Sequence, residues 1–263
     1  MPERFDSGFR MALLGGRISG PVELLARLGP GRVLDIPAGE GAESAELRGR
    51  GFEVVSADLF PPADRGRTRS WVKADANAAL PFRAGSFDCV LSREGIEHLE
   101  HQAGFVRECA RVLRPGGAIV ITTPSLTHLS ARLSQFLTGQ RSLRRGLANE
   151  VQTLRGGGPG RYYHGHIFLI DYFRLRYLVR LAGFDGIEIH TDRYSPTAIA
   201  LGWTVPLLYA ATAWSVKSAA LRSARRGGRN AAPAGVIREI RAHVFSPAAL
   251  FGKRMIMFAR KSG

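Results

Sequence analysis

The sequence predicts an α/β fold: a doubly wound, largely parallel sheet with helices on both faces. Two observations predict it. Short apolar runs rich in β-branched residues alternate with helical patterns, and four of these runs end at or just before an acid. The acids are Asp35, Asp58, Asp75 and Glu94. In open α/β sheets a ligand binds beside the carboxyl ends of the strands. A ligand site is therefore expected at that edge.

The first predicted strand, which begins at Val33 and ends in Asp35, is the most informative element because a turn of small residues follows it. That turn reads Pro37-Ala38-Gly39-Glu40-Gly41, and a helix-forming run covers 40–50. A strand that stops at such a turn brings backbone N–H groups and a helix N-terminus up to a ligand.

Four further strands are predicted in order at 53–57, 71–74, 87–91 and 118–122. A helical pattern precedes the last of them and is broken by Arg114-Pro115-Gly116-Gly117. Asp58 stands at the tip of the second strand, where a carboxylate can accept both ribose hydroxyls of a nucleoside. Capping of the following helix is the alternative role for Asp35 and Asp75.

Residues 31–124 resemble a class I S-adenosylmethionine-dependent methyltransferase of the ubiquinone-methyltransferase-like group. The resemblance rests on Asp58 and on the segments LDIPAGEG, DANAALPF, SFDCVLSREGIEHL and RVLRPGGAIVITTP, taken in this order. It implies a Rossmann-like sheet of seven strands, six parallel and one antiparallel. It also implies that 31–124 form the cofactor-binding core and that S-adenosylmethionine is the cofactor.

The resemblance also implies which residues hold the cofactor. The methionine end would lie against Asp35, Ala38, Gly39 and Gly41, the ribose against Asp58 and Leu59, the adenine edge against Asp75 and Ala76, and the amino-acid part against the Arg93 backbone. This chain departs from the family at Pro37, where glycine is usual. Proline removes one backbone donor from the turn.

The whole chain, 1–263, is predicted to form a single domain. The parts outside 31–124 are predicted from weaker patterns. Residues 125–190 are expected to form a substrate lid and the sixth strand, with Asp171 capping a helix that carries Phe173, Tyr177, Leu178 and Leu181 on one face. The last strand is expected within 250–261, antiparallel to the sixth. Cys89 and Cys109 fall inside a strand and a helix, which does not suggest a disulfide or a metal site.

An apolar and then basic insert, 194–230, separates the last two strands. It carries no charge from Tyr194 to Val216. A simple membrane span would place the two strands in different compartments and is therefore excluded if both belong to the sheet. Pro206 divides the run, which suggests a helical hairpin, a re-entrant segment or a helix lying in the interface. A buried helical pair or a dimer contact is the alternative. The charged N-terminus lacks a signal core. These features favour a cytoplasmic protein, peripheral or monotopic at the inner membrane face.

The net charge of +15 lies wholly in the second half of the chain. Residues 1–124 hold 16 basic and 16 acidic residues, whereas 125–263 hold 21 and 6. Such asymmetry favours an anionic partner, a small-molecule or lipid-linked acceptor or an anionic membrane surface. A basic surface without a specific partner is the alternative.

Histidines are the candidates for removing a proton from an acceptor hydroxyl near neutral pH. His98, His164 and His166 have the most suggestive context. In a helix, Glu94, Glu97 and His98 would share one face, and a similar Glu-x-x-Glu-His segment in ubiquinone-biosynthesis O-methyltransferases is linked to a divalent cation. By resemblance the three could bind Mg²⁺. Metal-free relatives also carry an acid and a histidine here, so a metal is not favoured.

The sequence thus favours O-methylation of a lipid-linked, glycan or quinone-type acceptor at the cytoplasmic membrane surface. Methylation of nucleic acid is the second hypothesis, disfavoured because Ser92-Arg93-Glu94-Gly95 differs from the Asn/Asp-Pro-Pro-Tyr motif of base amino-methylation. A non-catalytic membrane-associated scaffold of the same fold is the third.

Overall fold

A seven-stranded sheet organises the computed structural model, which describes residues 16–64, 70–141, 154–155, 162–163, 166–225 and 233–263. The strands are β1 Arg32–Asp35, β2 Glu53–Asp58, β3 Trp71–Lys73, β4 Phe87–Arg93, β5 Leu113–Pro124, β6 Phe184–His190 and β7 Arg254–Lys261. Their order is β3-β2-β1-β4-β5-β7-β6, and β7 is antiparallel to both of its neighbours. The prediction of six parallel strands and one antiparallel strand is confirmed.

Helices connect the strands. They are α1 Pro21–Ala26, α2 Ala42–Gly49, α3 Gln102–Val112, α4 Leu129–Thr138, α5 Tyr172–Leu181, α6 Pro196–Ala200, α7 Val205–Arg225, α8 Ala234–Val244 and α9 Pro247–Phe251. Two 3₁₀ turns cover Ile96–His98 and Gly202–Thr204, and Leu154–Arg155 pairs with Tyr162–Tyr163 outside the main sheet.

Both faces of the sheet are buried, as the near-continuous apolar strands require. Neighbouring residues of β1 point to opposite faces: Val33 packs with Leu25 and Leu47 of α1 and α2, whereas Leu34 packs with Phe105 of α3 and residues of α5. The sheet is therefore covered on both sides, and its carboxyl edge is left for a ligand.

Strand β5 begins at Leu113, five residues before the predicted start. The Arg-Pro-Gly-Gly segment is absorbed into an irregular part of the strand, where the register against β4 shifts between Phe87 and Cys89. Glycine is needed at Gly117 because a Cβ there would lie 2.9 Å from the carbonyl oxygen of Asp88. The predicted helix break is thus a close approach between two strands.

Helix α5 begins as predicted, with the Asp171 carboxylate accepting from the N–H groups of Phe173 and Arg174 at 2.7 and 3.0 Å. Its apolar stripe faces outward, however: Phe173, Tyr177 and Leu181 are exposed. The buried face consists of Tyr172, Leu175, Arg176 and Val179. Arg176 is accommodated there because Glu239 of α8 accepts two hydrogen bonds from its guanidinium, at 2.8 and 3.0 Å.

The insert between β6 and β7 is helical, as predicted. Pro206 is the second residue of α7, a position at which its missing N–H costs no helical bond. The apolar run therefore forms a short helix, a 3₁₀ turn and the start of one long helix. Of the three arrangements suggested by Pro206, a hairpin divided at that residue is not formed, because Pro206 lies within α7. Across the described ranges of the chain, no helix combines the length and apolar character needed to cross a membrane.

Candidate functional site: a cavity at the carboxyl edge of the sheet

A cavity of about 790 Å³ lies at the carboxyl ends of β1 to β4. Its volume falls within the range of small-molecule sites, about 300 to 1,000 Å³. Eight of the nine predicted cofactor residues line it: Ala38, Gly39, Gly41, Asp58, Leu59, Asp75, Ala76 and Arg93. The edge predicted from the acids is thus where the structure brings these residues together.

Asp58 is the polar centre of the cavity wall. One carboxylate oxygen accepts from the N–H of Gly39 at 2.9 Å, and the other accepts from the N–H of Phe60 at 3.0 Å. The carboxylate thereby joins the end of β2 to the turn after β1. Gly39 has a φ of 51°, which suits glycine, and a Cβ placed on it would meet nothing within 4 Å. A ligand can therefore approach the backbone closely at this turn.

Asp35 does not line the cavity. It lies beneath the turn, 1% exposed, and accepts a hydrogen bond of 2.6 Å from the hydroxyl of Ser44 in α2. Ser44 is also 2.6 Å from the Ser56 hydroxyl of β2. Burial raises the pKa of Asp35 to about 7. Its observed position is that of a buried link between β1 and α2.

Pro37 and Gly95 form the contact between the two loops that border the cavity. A Cβ on Gly95 would stand 2.6 Å from Cγ of Pro37 and closer still to Cδ. The proline, noted in the sequence only as a departure from the family, thus has a definite packing partner. The structure pairs it with a residue that has no side chain.

Arg93 contributes more than its backbone. Its guanidinium pairs with the Glu43 carboxylate in the first turn of α2, and both residues line the cavity. This ion pair joins the end of β4 to α2. Sequence reasoning missed Glu43, since a first-turn acid on a helix is ordinary.

Glu97, His98 and His166 lie close together beside the part of the cavity that His98 lines. The ligand atoms of these three residues lie within 4.8 Å of one another, and the two imidazole rings are 5.2 Å apart between centroids. Two of the predicted catalytic histidines are therefore neighbours. The third, His164, lies outside the described residues.

Glu97 is fully buried. One carboxylate oxygen accepts from the Thr123 hydroxyl at 3.0 Å, and the other, Oε1, lies 3.9 Å from Nε2 of His166. Within the part of the chain that the structure describes, Oε1 accepts no hydrogen bond. Burial, and then the charge of Glu94, raise the pKa of Glu97 to about 7. The carboxyl group can therefore gain or lose a proton near neutral pH.

Glu94 does not share a face with Glu97 and His98, which corrects the predicted arrangement. Its φ is 49°, it precedes the Ile96–His98 turn, and its carboxylate accepts from Nε of Arg254 at 3.0 Å. The helix that would have aligned the three residues is not formed. His166 occupies the third place instead, which no local spacing could indicate because it is distant in sequence.

The donor set of this cluster is one carboxylate and two imidazoles. Nitrogen-rich sets suit transition metals, whereas Mg²⁺ prefers oxygen ligands. The cluster therefore does not support the Mg²⁺ site on Glu94, Glu97 and His98 that the resemblance suggested. Without a metal, the same groups are one carboxyl group and two imidazoles, the types of side chain that act as proton acceptors in enzymes.

The chain is similar to several known methyltransferases. It is 33% identical over 114 residues to the ubiquinone biosynthesis O-methyltransferase of Caulobacter sp. (strain K31), covering 40% of this chain and 45% of the relative. It is 41% identical over 95 residues to the demethylmenaquinone methyltransferase of Beutenbergia cavernae, covering 34% and 39%. The chain thus spans less than half the length of these relatives.

A solved structure shows the same fold. A SAM-dependent methyltransferase from Thermotoga maritima aligns with 97% of this chain and 91% of its own at a TM-score of 0.51 and 14% identity. The family model described as "Methyltransferase domain" matches residues 15–189. The match agrees with the prediction that S-adenosylmethionine is the cofactor. The chain therefore belongs to the methyltransferase-domain family, as its sequence predicted.

Proposed function

We propose that this chain is an S-adenosylmethionine-dependent O-methyltransferase that acts on an anionic acceptor of lipid-linked, glycan or quinone type at the cytoplasmic membrane surface. One observation carries the proposal: the cavity that gathers the predicted cofactor residues is bordered by His98, which touches His166 and Glu97. A nucleoside-binding wall and a proton acceptor thus stand side by side.

The cofactor half of the cavity fits a nucleoside with an amino-acid tail. Asp58, held by the N–H groups of Gly39 and Phe60, offers its remaining lone pairs to ribose hydroxyls. Asp75 and Ala76 border the place for the adenine edge, and Arg93 borders the place for the amino-acid part. When bound there, S-adenosylmethionine supplies an electrophilic methyl group for in-line transfer to an acceptor oxygen.

The acceptor hydroxyl must lose its proton as its oxygen bonds to the methyl carbon. Among the described residues, His98 is the histidine that lines the cavity, so we assign it the role of accepting the proton. His166 and Glu97 lie behind it, with Oε1 of Glu97 3.9 Å from Nε2 of His166. In its ionised form, Glu97 offsets the positive charge that the transferred proton places on the two imidazole rings.

The exposed face of α7 supports action at a membrane surface. Leu207 and Trp214 are seven residues apart in α7 and lie on one side of that helix, and Trp203 stands in the 3₁₀ turn just before it. Each of the three is more than 70% exposed. Lys217 continues the exposed side. Indole rings beside a cation are typical of helices that lie in the interface of an anionic membrane.

The acceptor can be found by mass spectrometry of membrane lipids and soluble metabolites from cells with and without the gene. A compound that is heavier by one CH₂ unit only when the gene is present, and that is anionic, is the expected result. A methylated nucleoside in RNA or DNA, with no changed metabolite or lipid, would contradict the proposal.

A further inference from the structure

We call the cavity of about 790 Å³ at the carboxyl ends of β1 to β4 the cofactor cavity. A second pocket of about 180 Å³ adjoins it, and Glu94 lines both. Its other walls come from Pro124 at the end of β5, from Asp192 and Arg193 just after β6, and from the residues that start β7. Strands β5 and β6 end at the edge where the antiparallel β7 begins. The pocket thus stands at the carboxyl edge of the sheet, on the side where His166 also lines it.

Four cations and two acids line this pocket. The two acids are already engaged, because Arg254 pairs with Glu94 at 3.0 Å and with Asp192. This triad of one cation and two acids carries a net charge of −1, so the four cations and two acids of the pocket together leave a net charge of +2.

Arg193 and Lys253 are two of the three remaining cations. Both are exposed, and the backbone N–H of Lys253 donates to the carbonyl of Arg193 at 2.9 Å, so the two residues are adjacent. Among the residues that the structure describes, neither has a carboxylate within ion-pair distance. Two positive groups side by side repel each other unless an anion lies between them.

Arg141 adds a third positive charge to the same wall. It is fixed by hydrogen bonds from its guanidinium to the carbonyls of Ser125 and Lys253, at 3.1 and 3.2 Å. These cations also affect the pKa of the buried His128. Burial first, and then the charges of Arg141, Lys253 and Arg132, lower the pKa of that imidazole to about 4. Besides burial, the charges of Arg141 and Lys253 thus oppose a further positive charge near the pocket.

We infer that this pocket binds an oxyanion carried by the acceptor, a phosphate or a carboxylate, with Arg193 and Lys253 as the residues that select it. The inference rests on the proposed function, since it gives that acceptor a second point of attachment next to the cofactor cavity. Charge-assisted hydrogen bonds from two cations to one oxyanion are strong and geometrically specific. Attachment there would hold the acceptor hydroxyl between His98 and the cofactor, which is the positioning that methyl transfer requires.

The test uses the full chain and three probes: inorganic phosphate, acetate and S-adenosylmethionine, each titrated by calorimetry. The variant is Arg193→Gln with Lys253→Gln. The matched control is Arg107→Gln with Arg174→Gln, which removes the same charge from two exposed residues in a separate groove. Phosphate or acetate should bind the wild type and the control alike and bind the variant at least tenfold more weakly. The anion that binds with the higher affinity identifies whether the acceptor carries a phosphate or a carboxylate.

Unchanged affinity for S-adenosylmethionine in the variant shows that the cofactor cavity is intact. The inference is overturned if neither anion binds the wild type, or if the control loses anion binding as much as the variant does. If S-adenosylmethionine fails to bind the wild type, the proposed function fails instead, and the anion titrations still decide whether the pocket binds an oxyanion.

Discussion

The pyrrolidine ring of Pro37 packs directly on the Cα of Gly95. This contact joins the turn after β1 to the loop after β4, and both residues line the cofactor cavity. The position of Pro37 therefore depends on the absence of a side chain at residue 95. The wall of the cavity is set by a pair of residues that are distant in sequence.

Gly95→Ala should distort this wall, because the added methyl would overlap the Pro37 ring. Overpacking of this kind costs about 1–3 kcal/mol, and we expect a lower unfolding midpoint and weaker binding of S-adenosylmethionine. Thermal denaturation and calorimetry measure the two effects. Adding Pro37→Gly should restore much of both, because the clash needs the ring; a double variant as poor as Gly95→Ala would show that the contact is unimportant.

Asp58→Ala should weaken S-adenosylmethionine binding by roughly tenfold or more. The change removes the acceptor for the Gly39 and Phe60 N–H groups and the proposed acceptor for the ribose, and hydrogen bonds to a charged group are worth about 1.5–3 kcal/mol. The exposed Asp64 supplies the control, as Asp64→Asn changes charge by the same amount and should leave affinity unchanged. Equal affinities for Asp58→Ala and wild type would remove Asp58 from the cofactor site.

Glu97→Gln should change how stability depends on pH. The fold raises the pKa of Glu97 from its ordinary value to about 7, so the folded state binds this proton more tightly than the unfolded chain does. The stability from that proton is full below the unfolded pKa and is lost as the pH rises through about 7. The glutamine, which can still accept from Thr123, should therefore stabilise the protein at about pH 8 relative to wild type and change little at about pH 4.

Denaturant midpoints at both pH values provide the measurement. Asp35, whose pKa is raised in the same direction, remains in the variant and should preserve part of the pH dependence. A variant whose stability difference from wild type is the same at both pH values would contradict a raised Glu97 pKa.

His166→Ala should lower turnover with the identified acceptor by roughly 10²–10⁴, the range for loss of a group that handles a proton. S-adenosylmethionine affinity should stay the same, since His166 does not line the cofactor cavity. His101→Ala is the control, because His101 is exposed at the start of α3. Full turnover by the His166 variant would exclude it from the reaction.

Trp203→Ser with Trp214→Ser should reduce sedimentation with vesicles of anionic lipid, because both indoles belong to the insert and are more than 70% exposed. The comparison variant is Phe60→Ser, another exposed aromatic residue but one at the cofactor cavity. Wild type that stays in the supernatant at low salt would argue against membrane action altogether.

The sequence by itself determined the sheet and its ligand edge. Apolar periodicity and the turn at 37–41 are local signals, and Asp58, Asp75 and Arg93 follow strands whose carboxyl ends must meet at one edge. Eight of the nine predicted cofactor residues line the cavity for that reason. The cap at Asp171 was likewise readable, since it depends only on residues within the four positions 171–174.

Only the tertiary structure decided which side chains meet across that edge. The positive φ of Glu94 turns it toward Arg254, 160 residues away, and His166 takes the place beside Glu97 and His98 that local spacing had assigned to Glu94. Asp35 is drawn under the turn by Ser44. The outward apolar stripe of α5 likewise depends on Glu239, which offsets the burial of Arg176. Sequence spacing specifies neighbours within an element, but partners in different elements depend on how those elements pack.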